Sequence, residues 1–243
     1  MHNKIVRIFN FLNDNQHYNS VVQNNYWHSI LIPYKNNTER AYSMLHHTFY
    51  SQSQAKLDKA KRYFEAIYRN QKALKTFKGF CEYHKVKSGE NPYKSLFKSL
   101  VDQEGWGEKT SALFIKNIFQ LHHHSQQTNL RFWEDVPVLS KADKIYLPVD
   151  AVIIDIFQRI DSNLKTFKNI NNYINQKEEW RNKILWDDLW FWGYITQKGS
   201  KSPRELVVND AKYWSQIFFN KDPKEMQTIK LKSKQFISIL NRK

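Results

Sequence analysis

The chain has 243 residues, 41% of them hydrophobic, which is enough to bury a core and too apolar for a disordered chain. Lys and Arg number 38 against 23 Asp and Glu, a formal net charge of +15, and such an excess favours a polyanionic partner because each neutralised phosphate releases counterions. No apolar run approaches the roughly 18–20 residues of a bilayer span, no apolar stretch follows the basic start as a signal peptide would require, and a lone cysteine, Cys81, excludes a disulfide framework or a four-thiolate cluster. An intracellular protein of one or two domains, cytoplasmic or nucleoid-associated and without membrane attachment, is expected.

The apolar spacing is helical nearly throughout and predicts an all-α protein. Leu57, Ala60, Phe64 and Ile67 mark the first clear face. Asn91-Pro92 reads as a helix start, and helical signals run from Tyr93 to Asp102 and again from Lys109 to Leu121, where Ala112, Ile115, Ile118 and Phe119 share a face. From His122 to Pro148 helical logic lapses. His122, His123 and His124 are adjacent, so on a helix they point in different directions and cannot all bind one metal; a frayed polar helix end is the reading, and no metal is expected. Ile145 to Val149 is at most a short extended piece. Val152, Ile153, Ile156, Phe157 and Ile160 mark a further helix. Ser202-Pro203-Arg204-Glu205 and Asp222-Pro223-Lys224-Glu225 both read as capping boxes with Pro at the first helical position. The tail from Lys221 to Lys243 reads as a basic amphipathic helix packed through Ile229, Phe236, Ile237 and Leu240.

Two of only six glycines, Gly105 and Gly107, lie between the helical segments that flank them. A tight turn between helices needs backbone angles that glycine adopts cheaply. The second helix then offers unsatisfied N–H groups and the positive end of its dipole, a natural seat for a phosphate.

Gly105-x-Gly107-x-Lys109-Thr110-x-Ala112 resembles the second half of the hairpin in the endonuclease III and 8-oxoguanine DNA glycosylase superfamily, the helix-hairpin-helix glycosylases. Leu147-Pro148-Val149-Asp150 is similar to the apolar-Pro-Val-Asp segment that opens a helix downstream in that family. Tyr50-Ser51-Gln52-Ser53-Gln54-Ala55 resembles the segment that supplies a polar wedge for the gap left by a flipped base, with Gln54 the first candidate and Gln52 the second. Leu189-Trp190-Phe191-Trp192-Gly193 resembles the late helix behind the base pocket. Trp190, Phe191 and Trp192 are therefore candidates for a stacking wall, although neighbours on a helix face different ways and at least two of the three are expected in the core. Glu104 stands where the family usually has proline, Glu108 adds a negative charge beside the phosphate seat, and the iron–sulfur cysteines are absent, so no cofactor is expected. The stretch from Lys109 to Asp150 is longer than in the commonest members, and His122 to Tyr146 would be an insertion serving as a lid or a DNA-contacting loop.

The resemblance covers roughly residues 40–200. It implies two helical lobes with a cleft between them: residues 51–135, containing the hairpin at about 93–121, and residues 1–50 with 136–243. It also implies a monomeric bifunctional DNA glycosylase and abasic-site lyase acting on double-stranded DNA with a damaged base, 8-oxoguanine first among the candidates. In that chemistry Lys109 attacks C1′ of an extruded nucleotide, expels the base and forms a Schiff base from which β-elimination cuts the strand, while Asp150 stabilises positive charge on the sugar. The amine must be neutral, which needs a fall of roughly 3 pK units from the ordinary lysine value. Two alternatives stay open: a non-enzymatic protein using the hairpin only for phosphates, and a glycosylase for another oxidised or an unmodified base. Singly, Asp150 is also explained as an ordinary helix cap.

Overall fold

The computed structural model describes residues 2–51, 57–86, 91–176, 183–200 and 202–242. In chain order its elements are α1 (His2–Leu31), α2 (Asn37–Tyr50), α3 (Leu57–Arg69), a 3-10 turn (Gln71–Leu74), α4 (Phe77–Tyr83), α5 (Pro92–Val101) and α6 (Glu108–His123). A second 3-10 turn (Thr128–Leu130) precedes α7 (Ala151–Gln158), α8 (Phe167–Ile174), α9 (Lys183–Thr196), the strands β1 (Gln197–Lys198) and β2 (Glu205–Leu206), α10 (Asp210–Ser215) and α11 (Pro223–Asn241). The described residues are all-α apart from that ribbon of two two-residue strands. No described helix is long and apolar enough to cross a membrane.

The chain divides into two compact units, residues 26–148 and residues 1–25 with 149–243. Both ends of the chain thus fold together, but the boundaries differ from the expected 50/51 and 135/136. The reason is packing: α2 lies against α6, and residues 136–148 are tied to α5, so both belong with the hairpin.

In the middle unit α6 is the axis. Its apolar positions predict one buried face, yet every residue from Thr110 to Leu121 except Leu113 is buried, as befits a helix surrounded by others. The stretch after α6 is a strap fastened to the helices before it by polar groups. Asp135 accepts hydrogen bonds from the backbone of Phe77 and Lys78, both at 2.8 Å, and so caps α4 from a distance. Asp143 does the same for α5, accepting from Tyr93 and Lys94 at 3.0 and 2.9 Å, because Asn91 itself provides no side-chain cap. Trp133 donates its indole N–H to the Leu74 carbonyl at 2.8 Å.

The triple histidine is likewise corrected. His122 is no frayed end: it is buried in α6, its Nδ1–H donates to the Ile118 carbonyl at 2.9 Å, and its Nε2 accepts from the backbone of Phe132 and Trp133 at 3.3 and 3.2 Å. Those bonds require the neutral ring, and burial pushes its pKa down to about 4. Burial has the same effect on His84, also to about 4, beside the Tyr63 hydroxyl at 3.2 Å. Cys81 is buried, with its thiol pKa raised by burial to about 12, so it is an inert packing residue.

In the other unit α9 is the hub, with α7, α10 and α11 packed on it. The contact with α7 is close enough to require glycine: a Cβ on Gly193 would stand 2.4 Å from Val152 Cγ1 and 2.9 Å from Ile156 Cδ1. Asp222-Pro223 opens α11 as its sequence predicts, with the Asp222 carboxylate accepting from Lys224 N at 2.8 Å. Ser202-Pro203-Arg204-Glu205 does not open a helix. The Ser202–Pro203 peptide is cis, and Glu205 enters β2 opposite Lys198. The buried carboxylate of Asp155 takes hydrogen bonds from Ser202 Oγ at 3.1 Å and Arg204 N at 2.8 Å, so a tertiary acceptor captures the donors that a local cap would have used.

Asp143→Ala leaves the buried amide of Tyr93 without an acceptor and should lower the unfolding free energy by about 1–3 kcal/mol in urea titration. The two buried histidines set a pH dependence. Above pH 6.5 both are neutral in native and unfolded chains; between 6.5 and about 4 the unfolded chain takes up protons that the native state refuses, so stability falls as the pH drops through that window. Each histidine should contribute about 1.4 kcal/mol per pH unit at most, and His122→Gln should remove its share of the slope in urea titrations between pH 6.5 and 5.

Candidate functional site

The turn between α5 and α6 is built from its backbone. Asp102 N donates to Lys98 O at 3.1 Å, Gln103 N to Leu100 O at 3.0 Å and Trp106 N to Gln103 O at 3.0 Å, closing α5 tightly. Gly105 has φ +88°, and a Cβ there would lie 3.2 Å from Ala60 N on α3. Glycine is required at this point for both reasons. Trp106 pins the turn from below, packing on Phe49, Tyr63 and Phe114.

Gly107 differs from the expectation that both glycines serve backbone strain. Its φ of −124° is open to any residue, and nothing lies within 4 Å of a Cβ placed there. What it does is leave the start of α6 bare. It is the N-cap and offers no side chain, so the first-turn N–H groups of α6 receive no side-chain cap. Asn36 caps α2, Thr76 caps α4, Thr166 caps α8 and Asp222 caps α11. Lys109 is in the first turn of α6 and partly exposed, and none of the ion pairs formed among the described residues involves it. Glu108 and Glu104 are exposed beside it. Gly105, Gly107 and Lys109 thus form one surface, at the end of a rigid buried helix.

Asp150 opens α7 in the other unit. It is the N-cap, half-buried, with Oδ1 accepting from Ile153 N at 2.9 Å. Close packing of α7 on α9 at Gly193 holds that helix start firmly.

On α9 the three ring candidates separate. Phe191 and Trp192 are 1% and 0% exposed. Trp192 is enclosed by Phe11 and Tyr18, and Phe191 lies against Phe219. Both are core residues and form no stacking wall, because α9 is packed by neighbours over more than one face and both rings fall within the covered arc. Trp190 alone is partly exposed, stacked on Tyr194 with centroids 5.1 Å apart. Gln52 and Gln54, the wedge candidates, lie outside the described residues.

A cluster of rings on α2 and α3 escaped the reading of the sequence. Tyr42, His46 and Tyr50 recur every four residues, and that spacing was the available signal. Compared with protein families, curated proteins and solved structures, the chain matches none.

The two glycines should respond oppositely to substitution. Gly105→Ala should cost about 1–3 kcal/mol of stability through its positive φ and the contact with Ala60, whereas Gly107→Ser, which supplies a cap, should change stability by only a few tenths of a kcal/mol. Equilibrium urea unfolding of the two variants checks both.

Proposed function

We propose that the protein is a DNA glycosylase with an abasic-site lyase activity, in which the α5–α6 pair is a helix-hairpin-helix element, Lys109 the nucleophile and Asp150 its carboxylate partner. The observation that carries this reading is the start of α6, left bare by a glycine N-cap with a lysine in its first turn. Its N–H groups and dipole suit a DNA phosphate. The order of the chain supports it too: the middle folds as one unit and both ends as the other, as the resemblance to the glycosylase superfamily implies.

On this reading the Lys109 amine attacks C1′ of an extruded nucleotide. The C1′–N bond breaks, its electron pair leaves with the base, and a proton reaches the base by way of solvent or Asp150. The ring opens to an iminium between Nζ and C1′. Loss of a C2′ proton then expels the 3′ phosphate by β-elimination, and water releases the lysine. Asp150, ionised at a helix start, stabilises the cationic sugar. The damaged base is proposed to be an oxidised purine such as 8-oxoguanine. A second reading is favoured by the hydrogen bond from Ile153 N to Asp150, which explains that residue as a cap: a protein that binds duplex DNA through the hairpin and does no chemistry.

A duplex panel carrying 8-oxoguanine, oxidised pyrimidines, uracil or an abasic site distinguishes the two. The enzyme reading expects incision of at least one lesion and a borohydride-trapped covalent adduct that disappears in Lys109→Gln. Asp150→Asn should slow base release by about 10²–10⁴-fold. Salt-sensitive binding that survives both substitutions, with no abasic product from any duplex, establishes the binding protein instead.

A further inference from the structure

The middle unit carries a second surface, away from the hairpin glycines in sequence and built from rings and cations. Along α2, Tyr42, His46 and Tyr50 form one row. The rings of Tyr42 and His46 are stacked with centroids 6.3 Å apart, and those of His46 and Tyr50 are 4.2 Å apart. Phe64 of α3 is the floor: 7% exposed, it lies parallel to Tyr50 at 5.7 Å and meets Tyr42 edge-on at 6.0 Å. One turn further along α3, Tyr68 meets Tyr42 at 5.8 Å. Tyr50 and Tyr68 remain 38% and 60% exposed. Tyr50 and Tyr68 are thus the solvent-facing edge of a ring cluster in which Tyr42 and His46 are half-buried and Phe64 is buried.

Its chemistry is set by what surrounds it. Between residues 57 and 78 stand seven Lys or Arg and two acids, every one of them exposed. One of those acids, Glu65, is tied to Arg69. Lys59, Lys61 and Arg62 belong to α3 itself, and Lys72 lies in, and Lys75 just after, the 3-10 turn that packs against α2 and α3. Planar rings interleaved with a phosphate-attracting field are what a strand of nucleic acid requires. A bilayer would call for aliphatic side chains, and of these only Leu57 is exposed on α3. Burial, and then the neighbouring His47, lower the His46 pKa, so that its ring is neutral near pH 7 and suited to stacking.

We infer that the α2–α3 surface is a stacking platform for unpaired nucleobases, holding a single strand through Tyr42, His46, Tyr50 and Tyr68 while the cations of residues 59–75 take its phosphates. Bases in a duplex are already stacked on one another, so the platform selects single-stranded or locally opened nucleic acid. It operates independently of Lys109 and Asp150 and stands whether or not those residues perform chemistry.

The test is fluorescence anisotropy of the full chain with a labelled twelve-residue oligothymidylate and with a chain of twelve tetrahydrofuran abasic residues, which carry no aldehyde for an amine to attack. The oligothymidylate should bind at least about tenfold more tightly, since each stacked base adds to affinity while the phosphates are common to both. Tyr50→Ala/Tyr68→Ala should erase that difference, and Tyr50→Phe/Tyr68→Phe should keep it. Equal binding of the two chains by the unaltered protein overturns the proposal, a result that needs no variant to fold. So does an alanine variant, native by circular dichroism, that retains the full preference. Tighter binding to phosphatidylglycerol vesicles than to the oligothymidylate, or a dimer in sedimentation that the alanine variant dissolves, assigns the surface to a membrane or to a second copy and also overturns it.

Discussion

A helix that starts inside a protein presents N–H groups that water cannot reach, and each must find an acceptor or remain at a cost of about 1–3 kcal/mol. Much of this molecule is organised by that demand. At the part-buried start of α7 the local residue Asp150 meets it, and Asn36, Thr166 and Asp222 cap the exposed starts of α2, α8 and α11 in the same way. At α5 it is met from afar by Asp143, and at α4 Asp135 adds a distant acceptor to the local cap of Thr76. Because those two carboxylates lie on the stretch after α6, capping is also what wraps that stretch over the middle unit and turns a segment without regular structure into a fixed part of it.

Against this background the start of α6 stands out. The helix is buried nearly all round and is the most constrained in its unit, yet its N-cap is a glycine with nothing to offer. A serine or aspartate there would fit the extended backbone, so the omission is a matter of side chain and not of conformation. A bare helix start on a rigid element suits a ligand that brings its own negative charge. Glu108, exposed in the same first turn, places a negative charge beside that start.

The net charge of +15 is shared between the units. Residues 26–148 hold nineteen basic and eleven acidic side chains, and the remainder holds nineteen and twelve. Total charge therefore says little about where a polyanion sits. Local arrangement says more: the cations of residues 57–78 gather beside exposed rings, whereas Lys212 and Lys221 spend their donors on backbone carbonyls of their own unit. The same residue type serves two ends according to what folds next to it.

The helical class, the start of α11, the apolar face of α7, that of α3 apart from the exposed Leu57, and the glycine turn before α6 were legible in the sequence, because each depends on neighbours within a turn or two: periodicity, a cap, a positive φ. The fate of Ser202-Pro203-Arg204-Glu205 was not, since a cap is a competition for donors and Asp155, distant in the chain, wins it. Nor was the burial of His122, Phe191 and Trp192, whose sides of their helices are chosen by partners far away in sequence. Local order follows from short-range sterics and hydrogen bonding that a string of residues carries within itself. Which polar group is captured, which ring is enclosed and which helix start is left bare depend on long-range contacts that exist only once the chain has closed on itself.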